Sequence, residues 1–281
     1  MTCSREIRFR LAALAAAALL AAIPFLPLPG TVRWPLFGAL ALAGLWLSLR
    51  VAWWWPRVPA NLPVFLMLHS VSDTVVDAEC PNNTLRPAEL DTLIGDLLAA
   101  GYVFQTVPEA VDAPARRSVV LTFDDGWADN YTDLFPILRR RNVKATCFIT
   151  NRGDRDPAFL TPGQIREMAA SGLVAFGGHT AEHDVLDILS DSEAEASIRA
   201  NRDWLAGILG APPDCFAYPK GRHTDATIAI LKRCGYRCAV TMRKKMRPVA
   251  EDPFRIRRQI IPRGHTPCQL YLLATRGKCR V

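Results

Sequence analysis

The sequence lacks the paired cysteine spacing that marks small zinc modules and disulfide-rich domains. It has eight cysteines in 281 residues, yet no two of them form a Cys-x₂-Cys pair. Cys147 and Cys215 fall inside strand-like apolar runs, where a thiol is an ordinary small core residue. We therefore expect unpaired thiols in a reducing compartment, and a fold that depends on neither disulfides nor a structural zinc.

The chain also lacks an aromatic-interleaved basic motif for nucleic acid, although its formal net charge is +7. Residues 1–60 carry six arginines and one acid, a net +5, and residues 233–281 carry 13 lysines and arginines against two acids, a net +11. Since the whole chain carries +7, the remaining residues 61–232 carry a net charge of −9. We expect no nucleic-acid partner, and the basic C-terminal segment indicates either contact with membrane lipids or a solvated surface.

Two apolar runs near the N-terminus contain little charge. Residues 11–32 have no charged side chain, and residues 34–55 have only Arg50. Each run is long enough to cross a hydrocarbon core about 30 Å thick. The pattern predicts residues 1–60 as a membrane anchor, a hairpin of two transmembrane helices at about 11–29 and 34–55. A cleaved signal peptide followed by one anchor is the alternative.

The residues around these runs give the expected orientation. Trp53, Trp54 and Trp55 are typical of an aromatic belt at the membrane interface, and the flanking arginines favour both chain ends on the cytoplasmic side. The predicted localisation is therefore the bacterial inner or plasma membrane, as a multi-pass protein whose residues 61–281 form a cytoplasmic catalytic domain.

Beyond residue 60, strand-like and helix-like segments alternate. The strand-like runs are at 64–68, 119–123, 145–149, 173–176, 215–218 and 237–241. Repeated βα units predict an α/β domain with a parallel sheet, and the pattern fits both an open sheet and one closed into a barrel. Candidate functional residues stand at or near strand ends, as a barrel of this kind requires.

Two polar motifs indicate the chemistry. Thr-Phe-Asp-Asp-Gly at 122–126 ends an apolar strand, and His-Thr-Ala-Glu-His at 179–183 places two histidines four residues apart, on one face if the turn is helical. One carboxylate oxygen and two imidazole nitrogens make an open three-ligand site for Zn²⁺ or a similar divalent ion. The other carboxylate is then free to act as a base.

These motifs resemble those of the polysaccharide deacetylase family, also called the NodB-homology group or carbohydrate esterase family four. The family's first motif, Thr-Phe-Asp-Asp-Gly, and its second, His-(Ser/Thr)-x-x-His, are both intact. The segment 216–221 is similar to the third motif, and 63–69 to the strand that opens the domain in one branch. The resemblance covers roughly residues 62–267 and implies the family's distorted (β/α) barrel.

The resemblance also implies a role for each motif residue. Asp125, His179 and His183 would hold the divalent metal, most simply Zn²⁺, with Co²⁺ or Ni²⁺ as alternatives. Asp124 would be the general base, and either His69 or His265 the catalytic acid. The third motif would contact the substrate and its oxyanion, the latter through the backbone N–H of Lys220. Its four candidate residues are Tyr218, Pro219, Lys220 and Gly221.

Three features depart from the family pattern. The third motif usually offers an arginine that orients the catalytic aspartate, and Ala217 stands in that region, so Arg258 or Arg263 would have to substitute. Lys220 replaces a common aromatic residue. The late Asp-x-x-Asp-Trp pattern is absent.

The predicted function is hydrolysis of an N-acyl group, most simply N-acetyl, on an amino-sugar of a membrane-associated glycan. The membrane anchor favours a glycan linked to a polyprenyl phosphate as the partner. One alternative is an extracytoplasmic deacetylase of a cell-surface polysaccharide or of peptidoglycan. The other is a glycan-binding protein that has lost catalysis.

Overall fold

The computed structural model describes residues 4–51, 56–76, 80–242 and 248–277. The helices are α1 (Ser4–Ala22), α2 (Gly30–Val51), α3 (Pro87–Ala99), α4 (Val107–Asp112), α5 (Phe135–Arg141), α6 (Pro162–Ala170), α7 (Asp191–Leu209), α8 (Asp225–Arg233) and α9 (Pro267–Arg276). The strands are β1 (Val64–Leu68), β2 (Ser70–Val71), β3 (Thr84–Leu85), β4 (Val103–Phe104), β5 (Ser118–Phe123), β6 (Ala145–Ile149), β7 (Val174–Gly178), β8 (Cys215–Ala217), β9 (Cys238–Thr241), β10 (Ile256–Arg257) and β11 (Gln259–Ile260).

The main sheet is parallel throughout. Its order is β10-β9-β8-β7-β6-β5-β1-β11, with β4 paired to the start of β5, and β2 and β3 form a separate small sheet. Helices join most successive strands, which returns the chain to the same edge each time. The central strands β1, β5 and β6 are buried along their whole length, as expected for a sheet covered on both faces.

One short segment joins the two edges of this sheet. Its first part, β10, pairs with β9, and its second part, β11, pairs with β1. Arg258 lies between the two parts, at the point where the segment passes from one edge strand to the other. The result is a nearly closed parallel barrel, which fits the architecture that the resemblance implied.

Apolar side chains fill the barrel from strands all around it. One buried cluster takes members from β1, β5, β6, β8, β9 and β10, including Phe65, Val120, Phe148 and Val240. Side chains of α4 join the same cluster, and the Val107 N–H donates to the Thr146 hydroxyl at 2.9 Å. The interior is therefore a packed core, and polar chemistry is confined to the carboxyl ends of the strands.

The prediction of a transmembrane hairpin is wrong. No helix in the described parts of the chain is long and apolar enough to cross a membrane, which takes about 20 predominantly apolar residues. The α1 helix ends at Ala22 because Pro24 lies in a 3₁₀ turn, so its uncharged part is residues 11–22, of which eight are alanine. The α2 helix contains Arg33 and Pro35 near its start and is described only to Val51.

The predicted multi-pass membrane localisation was inferred from that hairpin and is wrong with it. The cytoplasmic placement of the catalytic domain loses its basis for the same reason. The three tryptophans predicted to form an aromatic belt, Trp53, Trp54 and Trp55, lie outside the described residues. The domain boundary between residues 60 and 61 stays a prediction, and β1 begins just after it.

The buried cysteines behave as core residues. Cys147, Cys215, Cys234 and Cys238 form no disulfide, as their spacing predicts. Burial raises the pKa of the Cys238 thiol to about 12, so that it stays protonated near neutral pH.

Candidate active site

Three polar side chains converge beyond the ends of β5 and β7. Asp125 follows β5, and His179 and His183 follow β7. The Asp125 Oδ1 atom lies 3.4 Å from His179 Nε2 and 3.6 Å from His183 Nε2. All three ligand atoms lie within 4.8 Å of one another. His179 is 2% exposed and His183 26% exposed, so the cluster is anchored in the protein on one side and open to solvent on the other.

The His179 ring is fixed by its other nitrogen. Nδ1 lies 2.7 Å from the carbonyl oxygen of Ala217, which can only accept, so Nδ1 donates its proton there. The Nε2 atom then faces Asp125. This second hydrogen bond, which sets the tautomer and the ring orientation, is typical of metal-binding histidines.

The segment between the two histidines is not the helical turn that their spacing suggested. Thr180 and His183 have left-handed backbones, with φ of 65° and 64°. A helix cannot pass through such residues. The Thr180 hydroxyl accepts from the Asp184 N–H at 2.7 Å and stabilises the tight loop. The imidazoles therefore meet through a loop whose strained backbone is typical of a functional site.

Asp125 has a strained backbone as well, with φ of 74°, and is followed by Gly126 with φ of 82°. A Cβ atom at Gly126 would lie 2.9 Å from Ile149 Cγ2, so glycine is required for this turn. The Trp127 indole N–H donates to Asp125 Oδ2 at 3.3 Å, and its ring stacks on Phe159 at 4.8 Å. One carboxylate oxygen thus faces the histidines and the other is held by Trp127, a contact that the sequence motifs did not indicate.

Asp124 is buried against Arg258. The guanidinium donates to both carboxylate oxygens, at 2.6 and 2.7 Å, and to the Thr122 hydroxyl at 3.0 Å. Burial alone would raise the pKa of Asp124, but the charge and hydrogen bonds of Arg258 outweigh it and lower that pKa. Arg258 therefore makes the contact with the catalytic aspartate that was expected of the arginine missing from the third motif. Arg263 instead donates to backbone carbonyls, among them that of Asp73 at 2.9 Å.

His69 lies beside the two aspartates. In the β1–β5 register Leu68 is opposite Phe123, and the Asp124 N–H donates to the Leu68 carbonyl at 3.0 Å, so His69 follows at the level of Asp124. After burial and the nearer groups, the charge of His69 also acts on the pKa of Asp124 and Asp125. The Asn83 side-chain amide lies 3.4 Å from His69 Nε2. The structure thus brings His69 into the site.

His265 is not joined to this cluster. It is a buried residue between β11 and α9. Among the described residues, no hydrogen bond or ion pair connects it with Asp124, Asp125 or His179. Of the two histidines considered as the catalytic acid, His69 has the better support, because the β1–β5 register and the effect of its charge on both aspartates place it beside them.

The third-motif segment follows β8 and forms a tight turn. Tyr218 is buried, donates its hydroxyl to the Phe254 carbonyl at 3.0 Å and stacks on His223 at 4.4 Å. Pro219 is buried next to it. Lys220 is exposed with φ of 56°, and Gly221 has φ of 67°, where a Cβ would lie 2.8 Å from Met242. Tyr218 and Pro219 support the turn, and Lys220 is its accessible residue.

The protonation states of Asp125 and His183 favour cation binding, whereas at His179 burial is outweighed by the hydrogen bonds and the two aspartates, which raise the pKa, so an ion bound there would replace a proton. Burial, followed by the charge of His179, lowers the pKa of His183 to about 4, so its imidazole is neutral near pH 7. Burial is the largest single effect and opposes ionisation of Asp125, but the hydrogen bond and charge of His179, with the charges of His69 and His183, together outweigh it and lower the pKa of the carboxyl. An ionised carboxylate and a neutral imidazole are both ligands that suit a divalent metal.

Comparison with known proteins gives a consistent picture. The family model for polysaccharide deacetylase matches residues 112–239, which include both aspartates, both histidines and the third-motif segment. The Bacillus subtilis (strain 168) protein YxkH, whose name places it among possible members of that family, is 30% identical over 198 residues, 68% of this chain and 67% of that protein. The poly-β-1,6-N-acetyl-D-glucosamine N-deacetylase of Staphylococcus epidermidis is 26% identical over 201 residues, 65% of this chain and 70% of that enzyme.

A solved structure shows the same fold. The Streptococcus pyogenes deacetylase PplD in complex with acetate superposes with a TM-score of 0.68 at 26% identity. The match covers 78% of this chain and 99% of that one. It extends well beyond the residues matched by the family model, and therefore relates the barrel as a whole.

Proposed function

Because the chain belongs to the polysaccharide deacetylase family, we propose that it is a metal-dependent N-deacetylase of a polysaccharide that contains N-acetylated amino-sugars. The observation that supports this most directly is the convergence of Asp125, His179 and His183 beside the buried pair of Asp124 and Arg258. The named substrate of the S. epidermidis relative favours a polymer of N-acetylglucosamine. The proposed catalytic unit is residues 61–281.

The donor atoms fit a divalent metal. Ligands about 2.0–2.1 Å from a tetrahedral ion lie about 3.3–3.4 Å apart. The separations of 3.4 and 3.6 Å between Asp125 Oδ1 and the two imidazole nitrogens are close to that value. Two nitrogens and one oxygen suit Zn²⁺, with Co²⁺ and Ni²⁺ as alternatives. When bound, the ion would polarise the amide carbonyl and make water a better nucleophile.

Asp124 is the proposed general base. Arg258 keeps its carboxylate ionised and holds both oxygens in a fixed orientation, so that it can accept a proton from the attacking water. The backbone N–H of Lys220, in the turn after β8, is the proposed donor to the oxyanion that forms from the carbonyl. His69, at the level of Asp124 on the neighbouring strand, would donate a proton to the nitrogen of the departing amino-sugar.

Two other functions have less support. The lipid-linked substrate was inferred from the orientation of the membrane hairpin, the unpaired thiols and the basic segment at 233–281, and it loses its main support with the hairpin. A glycan-binding protein without catalysis would not need the aspartate–arginine pair, in which two buried charges are aligned beside the three proposed metal ligands. We therefore propose a hydrolase acting on a polymer.

Acetate release from β-1,6-linked N-acetylglucosamine oligomers tests this proposal. Protein stripped with a chelator should release no acetate, and addition of Zn²⁺, Co²⁺ or Ni²⁺ should restore the reaction. Asp203→Asn, which removes an exposed carboxylate on α7, serves as a matched control and should behave as the unmodified protein. Full activity after metal removal, verified by elemental analysis, would contradict the proposal.

A further inference from the structure

The buried face of α7 contains one polar side chain. Its other buried members are Ala194, Ile198, Leu205 and Ile208, at the spacing of one helical stripe, and Asn201 lies in the middle at 0% exposure. A buried amide without hydrogen-bond partners would destabilise the fold. Asn201 therefore needs a set of hydrogen bonds, and these determine what it does.

All the hydrogen-bonding groups of the Asn201 side chain are used. Oδ1 accepts from the backbone N–H of His179 at 3.0 Å. Nδ2 donates to the Ile149 carbonyl at 2.9 Å and to Asn151 Oδ1 at 2.8 Å. Since a flipped amide would place donor against donor, these contacts define its orientation. One side chain thus ties the end of β6 to the first residue after β7, which is a proposed metal ligand.

The neighbouring glycine allows this close approach. A Cβ atom at Gly178 would lie 2.8 Å from Asn201 Oδ1 and 2.3 Å from the Tyr236 hydroxyl. A methyl group at Gly178 would therefore require both of these side chains to move. Gly178 and Asn201 are therefore fitted to each other at the point where the histidine loop begins.

The same face of α7 holds the rest of the loop one turn earlier. Ser197 Oγ accepts from the Ala181 N–H at 3.1 Å and donates to Asp184 Oδ2 at 2.5 Å. Residues 197 and 201 are four apart on a helix and so lie on one side of it. The loop from 179 to 184 is thus fixed to α7 at its start and at its far side.

We propose that Asn201, assisted by Ser197, is a positioning residue for the metal-binding histidines. The inference rests on the proposed metal centre and adds to it a contact that lies outside the recognised motifs. Asn201 sets where His179 leaves β7, and the two α7 contacts together set the separation of His179 from His183. Loss of a hydrogen-bond partner of a ligand side chain typically weakens metal binding about 10–100-fold, and we expect a change in that range for this partner of the His179 backbone.

The test is the Zn²⁺ dissociation constant of metal-free protein, measured by competition with a chromophoric chelator. Asn201→Ala should raise that constant about 10–100-fold, and Ser197→Ala should raise it by a smaller factor because His179 keeps its own contact. Leu205→Ala is the matched control. It truncates a fully buried side chain one turn further along α7, and should lower thermal stability while leaving the constant unchanged.

The outcomes separate this inference from the proposed function. If Asn201→Ala and Leu205→Ala change the constant equally, Asn201 is only structural and the inference is overturned. If Asn201→Ala does not fold, the partly exposed Ser197 decides: an unchanged constant in Ser197→Ala also overturns it. His179→Ala should abolish tight binding, and retention of wild-type affinity in that variant would instead refute the metal centre itself.

Discussion

Replacement of Arg258 by methionine is the sharpest test of the site's electrostatics. The change keeps an unbranched side chain in the barrel but removes the guanidinium that donates to both oxygens of Asp124. Asp124 is 3% exposed, so water cannot replace these bonds without a rearrangement. The carboxylate would then be a buried charge without its ion-pair partner, and burial would raise its pKa and favour uptake of a proton.

The expected magnitude follows from the ion pair and the hydrogen bonds that the substitution removes. Breaking a buried ion pair by removing one partner costs about 3–5 kcal/mol of unfolding free energy. Removal of the hydrogen bond from Arg258 to the Thr122 hydroxyl adds to that cost. A protonated Asp124 can no longer act as a base, and loss of a general base lowers turnover about 10²–10⁴-fold. The double variant Arg258→Met/Asp124→Asn should recover part of the stability, because no unpaired charge remains, but none of the turnover.

Urea unfolding and kcat on N-acetylglucosamine oligomers measure the two effects separately. Arg263→Met is the control, since Arg263 donates to backbone carbonyls and pairs with no carboxylate in the described residues. It should leave kcat near the unmodified value. The reasoning is refuted if Arg258→Met and Arg263→Met behave alike, or if the double variant is less stable than Arg258→Met alone.

Three further outcomes are expected at the same site. Asp124→Asn should retain Zn²⁺ and lose turnover about 10²–10⁴-fold, whereas Asp125→Asn should lose both; the reverse pattern would exchange the roles of the two carboxylates. His69→Gln should lower kcat strongly and His265→Gln little, and equal effects in steady-state assays would contradict the assignment of the acid. Trp127→Phe keeps the stacking on Phe159 but not the bond to Asp125, so calorimetry should show weaker Zn²⁺ binding with unchanged thermal stability.

The motif residues could be placed from sequence because of one property of parallel sheets. Strands joined by helices end at the same edge, so residues that follow different strands meet there even when they are far apart in the chain. Asp125 and His179 are of this kind, and the structure brings them together. His265 also follows a strand, yet it is not joined to the cluster, because a position after a strand does not determine where a loop directs its side chain.

Residues that orient the motif residues were much harder to predict. The choice between Arg258 and Arg263 depends on how the segment of β10 and β11 crosses from one edge of the sheet to the other, which no local pattern encodes. The sequence indicates a special role for Asn201 only weakly, through a polar residue in the apolar stripe of an amphipathic helix. Nothing in the sequence indicates the left-handed backbone of Thr180, since threonine rarely adopts that conformation.

The error over the N-terminal helices has a different cause. The absence of charge over residues 11–32 does not measure the length of a span, because Pro24 ends α1 and alanine supplies most of its uncharged part. Alanine favours a helix strongly and contributes little apolar surface. Counting charges therefore overestimated both the length and the hydrophobicity of the helix.

The site combines residues from the middle strands with residues from the segments that close the barrel. The proposed metal ligands and base follow the middle strands β5 and β7, within the residues that match the family model. His69 and Arg258 lie outside that match, after β1 and between β10 and β11, the neighbouring segments that close the barrel. The contact between Arg258 and Asp124 spans 134 residues and can form only when these segments pair. Pairing of β1 with β5 therefore brings the proposed acid to the proposed metal site, and closure of the barrel brings the orienting arginine.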